Sequence, residues 1–88
     1  MLRLGPNPFH GSTAIVFSLP KDGPVDLRIL DLAGRVVRTL ASRSPTVSGL
    51  HALSWDGRRD DGDLAPAGVY FVRLKTPDRE TRGRLTKL

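Results

Sequence analysis

Apolar residues recur at every second position in several short runs, each bounded by Gly, Pro or Asp. This is the signature of half-buried β-strands rather than helices. Over residues 13 to 19 the alternation places Ile15, Phe17 and Leu19 on one face, with Phe17 as a core position. Pro20-Lys21-Asp22-Gly23-Pro24 then reads as a tight reversal, because Pro presets φ and Gly accepts a positive φ, and a hairpin to the next run is expected. In that run Val25, Leu27 and Ile29 point inward while Asp26 and Arg28 point outward, before Asp31-Leu32-Ala33-Gly34 turns the chain again. The stretch that follows fits two readings. Val36, Val37, Leu40 and Ala41 would line up as a helical stripe, but the β-branched content and the preceding glycine favour a strand. Residues 41 to 49, polar with a central proline, read as a surface loop.

Beyond that loop, His51, Leu53 and Trp55 alternate on one face of a strand that stops at the turn pair Asp56-Gly57. Residues 56 to 68 form the longest segment without strand character. Val69 to Leu74 is the most strongly β-prone run, Pro77-Asp78 turns it, and Thr81 to Leu88 makes a weaker final strand. With Leu2 to Gly5 as a short edge strand, six or seven strands are expected and no helix is evident. No connection is long enough for a crossover helix, which excludes a parallel sheet. The fold class is therefore all-β: one antiparallel sandwich over residues 1–88, with residues 1–9 as an extended lead-in and 56–68 as an acidic loop.

Composition narrows the function classes. The 88 residues include 9 Gly and 7 Pro, in keeping with frequent turns, and 39% hydrophobic residues suffice for one modest core. The absence of Cys removes disulfides, thiol catalysis and cysteine-based metal sites. No stretch reaches the roughly 18 apolar residues of a membrane span, and Met1 to Pro6 has no apolar run resembling a signal peptide. A net charge of +5 raises the question of an anionic partner. The charges are segregated: Asp56, Asp60, Asp61 and Asp63 share one loop, whereas Arg73, Lys75, Arg79, Arg82, Arg84 and Lys87 crowd the end. At strand spacing such bases read as a solvated edge that discourages aggregation. Stacking aromatics and a recognition helix are both missing, so no nucleic-acid partner is expected.

Candidate chemistry is sparse. His51 occupies an inward strand position, where a partly buried, hydrogen-bonded imidazole is the ordinary reading and a general base the alternative; His10 lies in a turn. There is no Gly-x-Ser-x-Gly elbow and no Gly-rich phosphate loop, and neither a catalytic site nor a cofactor is expected. The loop Asp56 to Asp63 fails the EF-hand test, because Arg58 and Asp61 fall where a ligand and a glycine belong. Asx turns, with Arg58 and Arg59 offsetting the charge, account for it; a looser Ca²⁺ site is the alternative.

The ordered turn signals form a larger pattern. Pro6-Asn7-Pro8-Phe9, Ser12 to Pro20, Val25 to Leu32 with Ala33-Gly34-Arg35, Gly49-Leu50-His51, Trp55-Asp56-Gly57-Arg58, Asp61-Gly62 and Ala67 to Leu74 together resemble the Ig-like modules related to the flagellar hook-capping protein. The same series is similar to the C-terminal sorting domains of type IX secretion. The resemblance implies an Ig-like β-sandwich without enzymatic activity. In sorting domains recognition lies in a Pro-Asn-Pro-Phe segment, a Gly-x-Tyr element and a Lys near the end. Residue by residue these fall on Pro6, Asn7, Pro8 and Phe9, on Gly68 and Tyr70, and on Lys87, after which this chain has one aliphatic residue where sorting domains have several.

Each element also has a physical role of its own. Prolines hold a segment extended, Phe9 can seal one end of the sandwich, and Gly34 supplies a positive φ. Trp55 and Tyr70 join Phe17 as core positions, each with a polar group that needs a partner. The functional expectation is a sorting and surface-anchoring module of a larger secreted bacterial protein, with the secretion machinery or neighbouring domains as partners. The alternative is a structural building block of the hook-capping type. No membrane insertion is expected, and uncovered sheet edges would allow weak self-association.

Overall fold

The computed structural model describes residues 2–88, and Met1, the first residue of the predicted lead-in, lies outside the described residues. Seven strands follow one another: β1 (Leu2–Gly5), β2 (Thr13–Leu19), β3 (Gly23–Leu30), β4 (Val36–Thr46), β5 (Gly49–Trp55), β6 (Gly68–Lys75) and β7 (Glu80–Lys87). They form two antiparallel sheets, one in the order β1-β2-β5 and the other in the order β4-β3-β6-β7. The architecture is an all-β, Ig-like sandwich.

Period-two patterning explains why the sheets face each other. In β2 every second residue is buried, from Thr13 through Ile15 and Phe17 to Leu19. Val25, Leu27 and Ile29 of β3, Val72 and Leu74 of β6 and Leu85 of β7 meet them from the opposite sheet, each 4% exposed or less. Outward positions of the four-stranded sheet are charged or amphipathic. Arg28 pairs with Arg73 and Arg73 with Arg82, so three guanidinium groups follow one another across it. The charge expected of the chain's end thus lies on a solvated sheet face.

Three expectations are corrected. The reversal at residues 20–22 does not close a hairpin: β2 already has β1 and β5 on its two sides, so the chain crosses to the other sheet and begins β3 there. The expected surface loop over residues 41–49 is strand as far as Thr46, because β4 stays paired to β3 through Gly23↔Thr46 and Pro24↔Pro45. Both strands therefore place a residue without an N–H at that register, and β4 is an edge strand, where Pro is tolerated. Finally, the lead-in is extended only over β1. Residues 6–8 bend, and Phe9 passes from one sheet to the last strand of the other. The stretch after Gly34 resolves as strand, and Gly34 has φ 84° in the turn where a positive value is required. There the Asp31 carboxylate accepts hydrogen bonds from the Ala33 and Arg35 amides, each at 2.9 Å.

Three register shifts against β3 lengthen β4, the first of them a bulge beside Asp26. Val25 pairs with Ser44 but Leu27 with Ala41, so β4 carries one extra residue opposite Asp26. The excess is absorbed at Arg43, whose φ is 46°. Asp26 Oδ1 accepts the Arg43 amide at 3.0 Å and Arg28 Nη1 at 2.9 Å, and these bonds hold its carboxyl below the usual range. Arg43→Gly is expected to stabilise the fold by about 0.5 to 1 kcal/mol. Relief of a left-handed backbone at a non-glycine residue outweighs the added freedom of glycine in the unfolded chain. Thermal melting checks this, with a rise of a few degrees as the expected result.

Candidate functional site

Antiparallel register brings distant segments to one end of the sandwich. Gly5, Thr13, Leu30, Val36, Trp55, Gly68 and Lys87 all terminate strands there, so the connections 6–12, 31–35 and 56–67 share that end with the last residues of the chain. Every one of the sequence-predicted recognition residues lies in this cluster.

Pro6 to Phe9 run alongside β7 and take up its free edge. Phe9 donates its amide to the Thr86 carbonyl at 3.0 Å, and Leu88 donates to the Phe9 carbonyl at 3.0 Å, a one-residue parallel bridge. Asn7 continues that bridge with its side chain. Its Oδ1 accepts from the Thr86 amide at 2.9 Å and its Nδ2 donates to the Arg84 carbonyl at 2.8 Å. Proline has no N–H to give. An asparagine between two prolines supplies the donor and acceptor that a strand would otherwise present. Pro6 contributes its carbonyl, which accepts from Thr13 Oγ1 at 2.7 Å and satisfies the one buried polar side chain among the described residues.

Beneath this edge lies an aromatic trio. Phe9, Trp55 and Tyr70 are 1%, 0% and 6% exposed, with Trp55 central: its ring lies 5.6 Å from Phe9 and 5.2 Å, edge-on, from Tyr70. The polar groups of both large rings are satisfied by loop backbone. Trp55 Nε1 donates to the Arg58 carbonyl at 2.9 Å, and the Tyr70 hydroxyl donates to the Pro66 carbonyl. Tyr70 pairs with Leu85 and Gly68 with Lys87, which sets the Gly-x-Tyr element directly beside the final strand. The stem of Lys87 runs across Gly57. A Cβ built there would meet Lys87 Cε at 2.8 Å and the Gly11 carbonyl at 3.1 Å, and φ is 77°, so only glycine lets the lysine lie down at this point.

The acidic loop closes the opposite edge of the same sheet. Asp60 donates its amide to the Val37 carbonyl at 3.0 Å, and its Oδ1 accepts the Thr39 amide at 2.9 Å. Asx turns are present as expected, with Asp56 Oδ1 accepting from the Arg58 amide and Asp61 Oδ1 from the Asp63 amide. The charge is offset differently from the expectation. Arg38 of β4 meets Asp56 at 3.4 Å and Asp60 at 3.8 Å, whereas Arg58 Nη1 donates to the Gly62 carbonyl, because the loop folds back onto β4. His51 is half-buried, stacked 5.5 Å from Phe17, with Nε2 at 2.7 Å from the Val47 carbonyl.

Burial pushes the Tyr70 hydroxyl above its ordinary pKa of 10.0, with Asp31 adding to the shift and Arg59 opposing it. The folded state therefore holds this proton more tightly than the unfolded state. The stabilisation is complete below about pH 10 and is lost as pH rises through the folded value. Wild-type melting temperature is expected to fall more steeply above pH 10 than that of Tyr70→Phe, which has no proton to lose; parallel slopes would contradict the linkage.

Comparison with known proteins now decides the family. The model of the FlgD Ig-like domain matches residues 7–80, from the Asn7 bridge to the start of β7. The chain belongs to the FlgD Ig-like domain family. It is similar to the basal-body rod modification protein FlgD of Salmonella typhimurium, 36% identical over 58 residues, which are 66% of this chain and 25% of that protein. The chain thus corresponds to about a quarter of the curated relatives it matches. Among solved structures, FlgD from Xanthomonas campestris superposes with TM-score 0.65 at 26% identity over 86% of this chain and 55% of that one. PorZ of Porphyromonas gingivalis, described as a surface component of the type-IX secretion system, superposes with TM-score 0.70 at 20% identity, over 99% of this chain and 11% of that one. That second likeness is one of fold.

Within the FlgD Ig-like module, sequence reasoning missed the buried Thr13 and Ala65, which is 2% exposed, and named Asn7 and Asp60 without their edge-capping roles. A polar residue between two prolines was the available signal for Asn7. Nothing local marks Asp60 apart from its acidic neighbours.

Proposed function

We propose that this FlgD-type Ig-like module is a non-enzymatic C-terminal sorting and surface-anchoring domain of a larger bacterial protein exported by type IX secretion. The observation that carries this reading is convergence. Pro6 to Phe9, Gly68 with Tyr70, and Lys87 are spread over the whole chain yet meet at one end of the sandwich, where Pro6, Asn7 and Pro8 are exposed and Phe9 and Tyr70 are buried beneath them. Lys87 makes no ion pair among the described residues, so its ammonium is available to a receptor. Secretion machinery would read this end, and neighbouring domains of the exported protein would lie beyond the module. The proposed location is the cell surface or the medium.

The test fuses residues 1–88 to a Sec-targeted reporter in a bacterium that has type IX secretion. Alongside it go a deletion of Lys87-Leu88 and the substitution Lys87→Met, which keeps the stem over Gly57 but removes the charge. Export of the parent, with periplasmic retention of both variants in folded form, is the expected result. Retention of the parent would transfer support to the second reading, a structural building block of the hook-capping type. That alternative is favoured by the 36% identity to a flagellar protein.

A further inference from the structure

Most of the chain's excess charge sits on one surface. On the outer face of the larger sheet, pairing across β7, β6 and β3 sets Arg82, Arg73 and Arg28 in one row, with Glu80, Lys75 and Asp26 in the row beside it. Arg84 faces out from β7 at the next outward position after Arg82, and Arg43, at the bulge, stands next to Asp26. Six cations thus meet two carboxylates, an excess of four in a chain of net charge +5. Both carboxylates are already taken, Asp26 by Arg28 at 2.9 Å and Glu80 by Arg82 at 3.3 Å. Arg43, Arg73, Lys75 and Arg84 make no ion pair among the described residues. Like charges directly opposite each other on neighbouring strands repel, so the free protein carries a strain that an anionic partner would relieve. The outer face of the smaller sheet is the contrary case. Ala14, Val16, Ser18, Leu50, Ala52 and Ser54 face out there, with Arg3 as the one charge.

Shape and apolar content narrow the partner. Strands lie about 5 Å apart and outward positions about 7 Å apart along each, so the cations spread over roughly 14 Å in both directions. They form a field rather than a track. An apolar row borders the arginines: Phe71, Leu30 and Val36 follow Arg84 across β6, β3 and β4. Val36 is 47% exposed, and Leu32, in the turn that joins Leu30 to Val36, is 72% exposed. A strand of nucleic acid needs successive stacking rings, and Phe71, half-buried, is the single aromatic outside the core. A soluble polyanion would use the cations and leave Val36 and Leu32 in water. A lipid surface takes both, because charged headgroups lie directly above an apolar layer.

We infer that the outer face of β4-β3-β6-β7 docks on an anionic phospholipid surface: Arg73, Arg84, Lys75 and Arg43 bind headgroup phosphates while Val36 and Leu32 enter the boundary of the acyl layer. The guanidinium fork matches a phosphate with two parallel hydrogen bonds, which suits an arginine row to this task better than a lysine row. Docking of this kind is peripheral and crosses nothing. At one corner an indentation of about 380 Å³ between Arg43 and Lys75, lined also by Pro24, Asp26 and Pro77, gives room for a headgroup, since the Asp26 carboxylate is held by Arg28 and the Arg43 amide. The inference is independent of the sorting role, whose residues lie at the strand ends.

The experiment is co-sedimentation of the full chain with vesicles of phosphatidylglycerol and phosphatidylcholine, against vesicles of phosphatidylcholine alone. Binding to the first and not the second is expected at low salt, with release as salt rises to about 0.5 M. Each cation at an anionic lipid surface contributes about fivefold, so Arg73→Glu and Arg84→Glu should each weaken binding by about 25-fold. A carboxylate at position 73 faces Arg28 and Arg82, which keeps the fold secure in that variant. Arg3→Glu makes an identical change in net charge on the other sheet face and should cost less than about threefold. Val36→Ser leaves the charge alone and should cost about threefold, for an apolar side chain already half covered. Equal losses from Arg3→Glu and Arg73→Glu would reduce the effect to net charge and overturn the inference, as would equal binding to both kinds of vesicle or none at millimolar lipid. Polyglutamate or oligothymidylate bound as tightly per anionic charge, with Val36→Ser indifferent, would assign the face to a soluble polyanion and overturn it equally.

Discussion

Trp55→Ala is expected to remove about 3 to 5 kcal/mol of stability, the usual cost of truncating a fully buried aromatic. Three losses add here. The ring is 0% exposed and sits between Phe9 and Tyr70, so its removal leaves a cavity that two other aromatic rings line. Its Nε1 also holds the Arg58 carbonyl, the first anchor of the 56–67 connection after β5. That connection carries Asp60, the cap on β4, so the damage extends to an edge on the other sheet. A domain of this size has a total stability on the order of 5 to 13 kcal/mol, and the variant should melt at least 12 °C lower or fail to fold. Denaturant unfolding checks the value, and a loss under about 1 kcal/mol would mean that the ring is not the central plug.

Phe9→Ala should cost nearly as much, about 3 to 4 kcal/mol, although Phe9 belongs to no strand. Its ring is 1% exposed against Trp55, and its backbone bridges Thr86 and Leu88. Once the ring is lost, only the backbone bonds of residue 9 and the two Asn7 side-chain bonds hold this segment against β7. Asn7→Ala, by contrast, removes two exposed hydrogen bonds and should cost about 1 to 2 kcal/mol. The order of the two variants is the informative result. Because Phe9 and Trp55 are in contact, a double-mutant cycle should show a coupling of roughly 0.5 to 1.5 kcal/mol. Additive losses would show that the rings act independently. Amide exchange at Arg84 to Leu88 should quicken in both Asn7 and Phe9 variants, since the β7 edge is then open.

These effects bear on the proposed recognition residues. The Pro-Asn-Pro-Phe segment supports the last strand, so under the proposed sorting role a variant there would lose export simply by loosening Lys87. Lys87→Met separates the two roles, because its hydrogen-bonding backbone and its stem over Gly57 are preserved.

Local pattern determined much of this protein. Ile15, Phe17 and Leu19, Val25, Leu27 and Ile29, and Trp55 were legible as inward positions because a strand's side chains alternate strictly, and burial of one face leaves that period in the sequence. Gly34 was legible as a turn because only one residue type takes its φ without strain. What local pattern does not carry is partner choice. The reversal at 20–22 has the composition of a hairpin, but both sides of β2 are filled by strands from elsewhere in the chain, and the turn becomes a crossover. Residues 41–46 look like a loop because an edge strand with a bulge has little apolar alternation to show; pairing with β3 makes them a strand. The candidate site is the clearest case. Its residues stand at the two ends and the middle of the chain, and only antiparallel register across two sheets brings Asn7, Tyr70 and Lys87 to one end. Hydrogen-bond pairing is satisfied between strands rather than along them, so which edges are capped is decided by the tertiary structure alone.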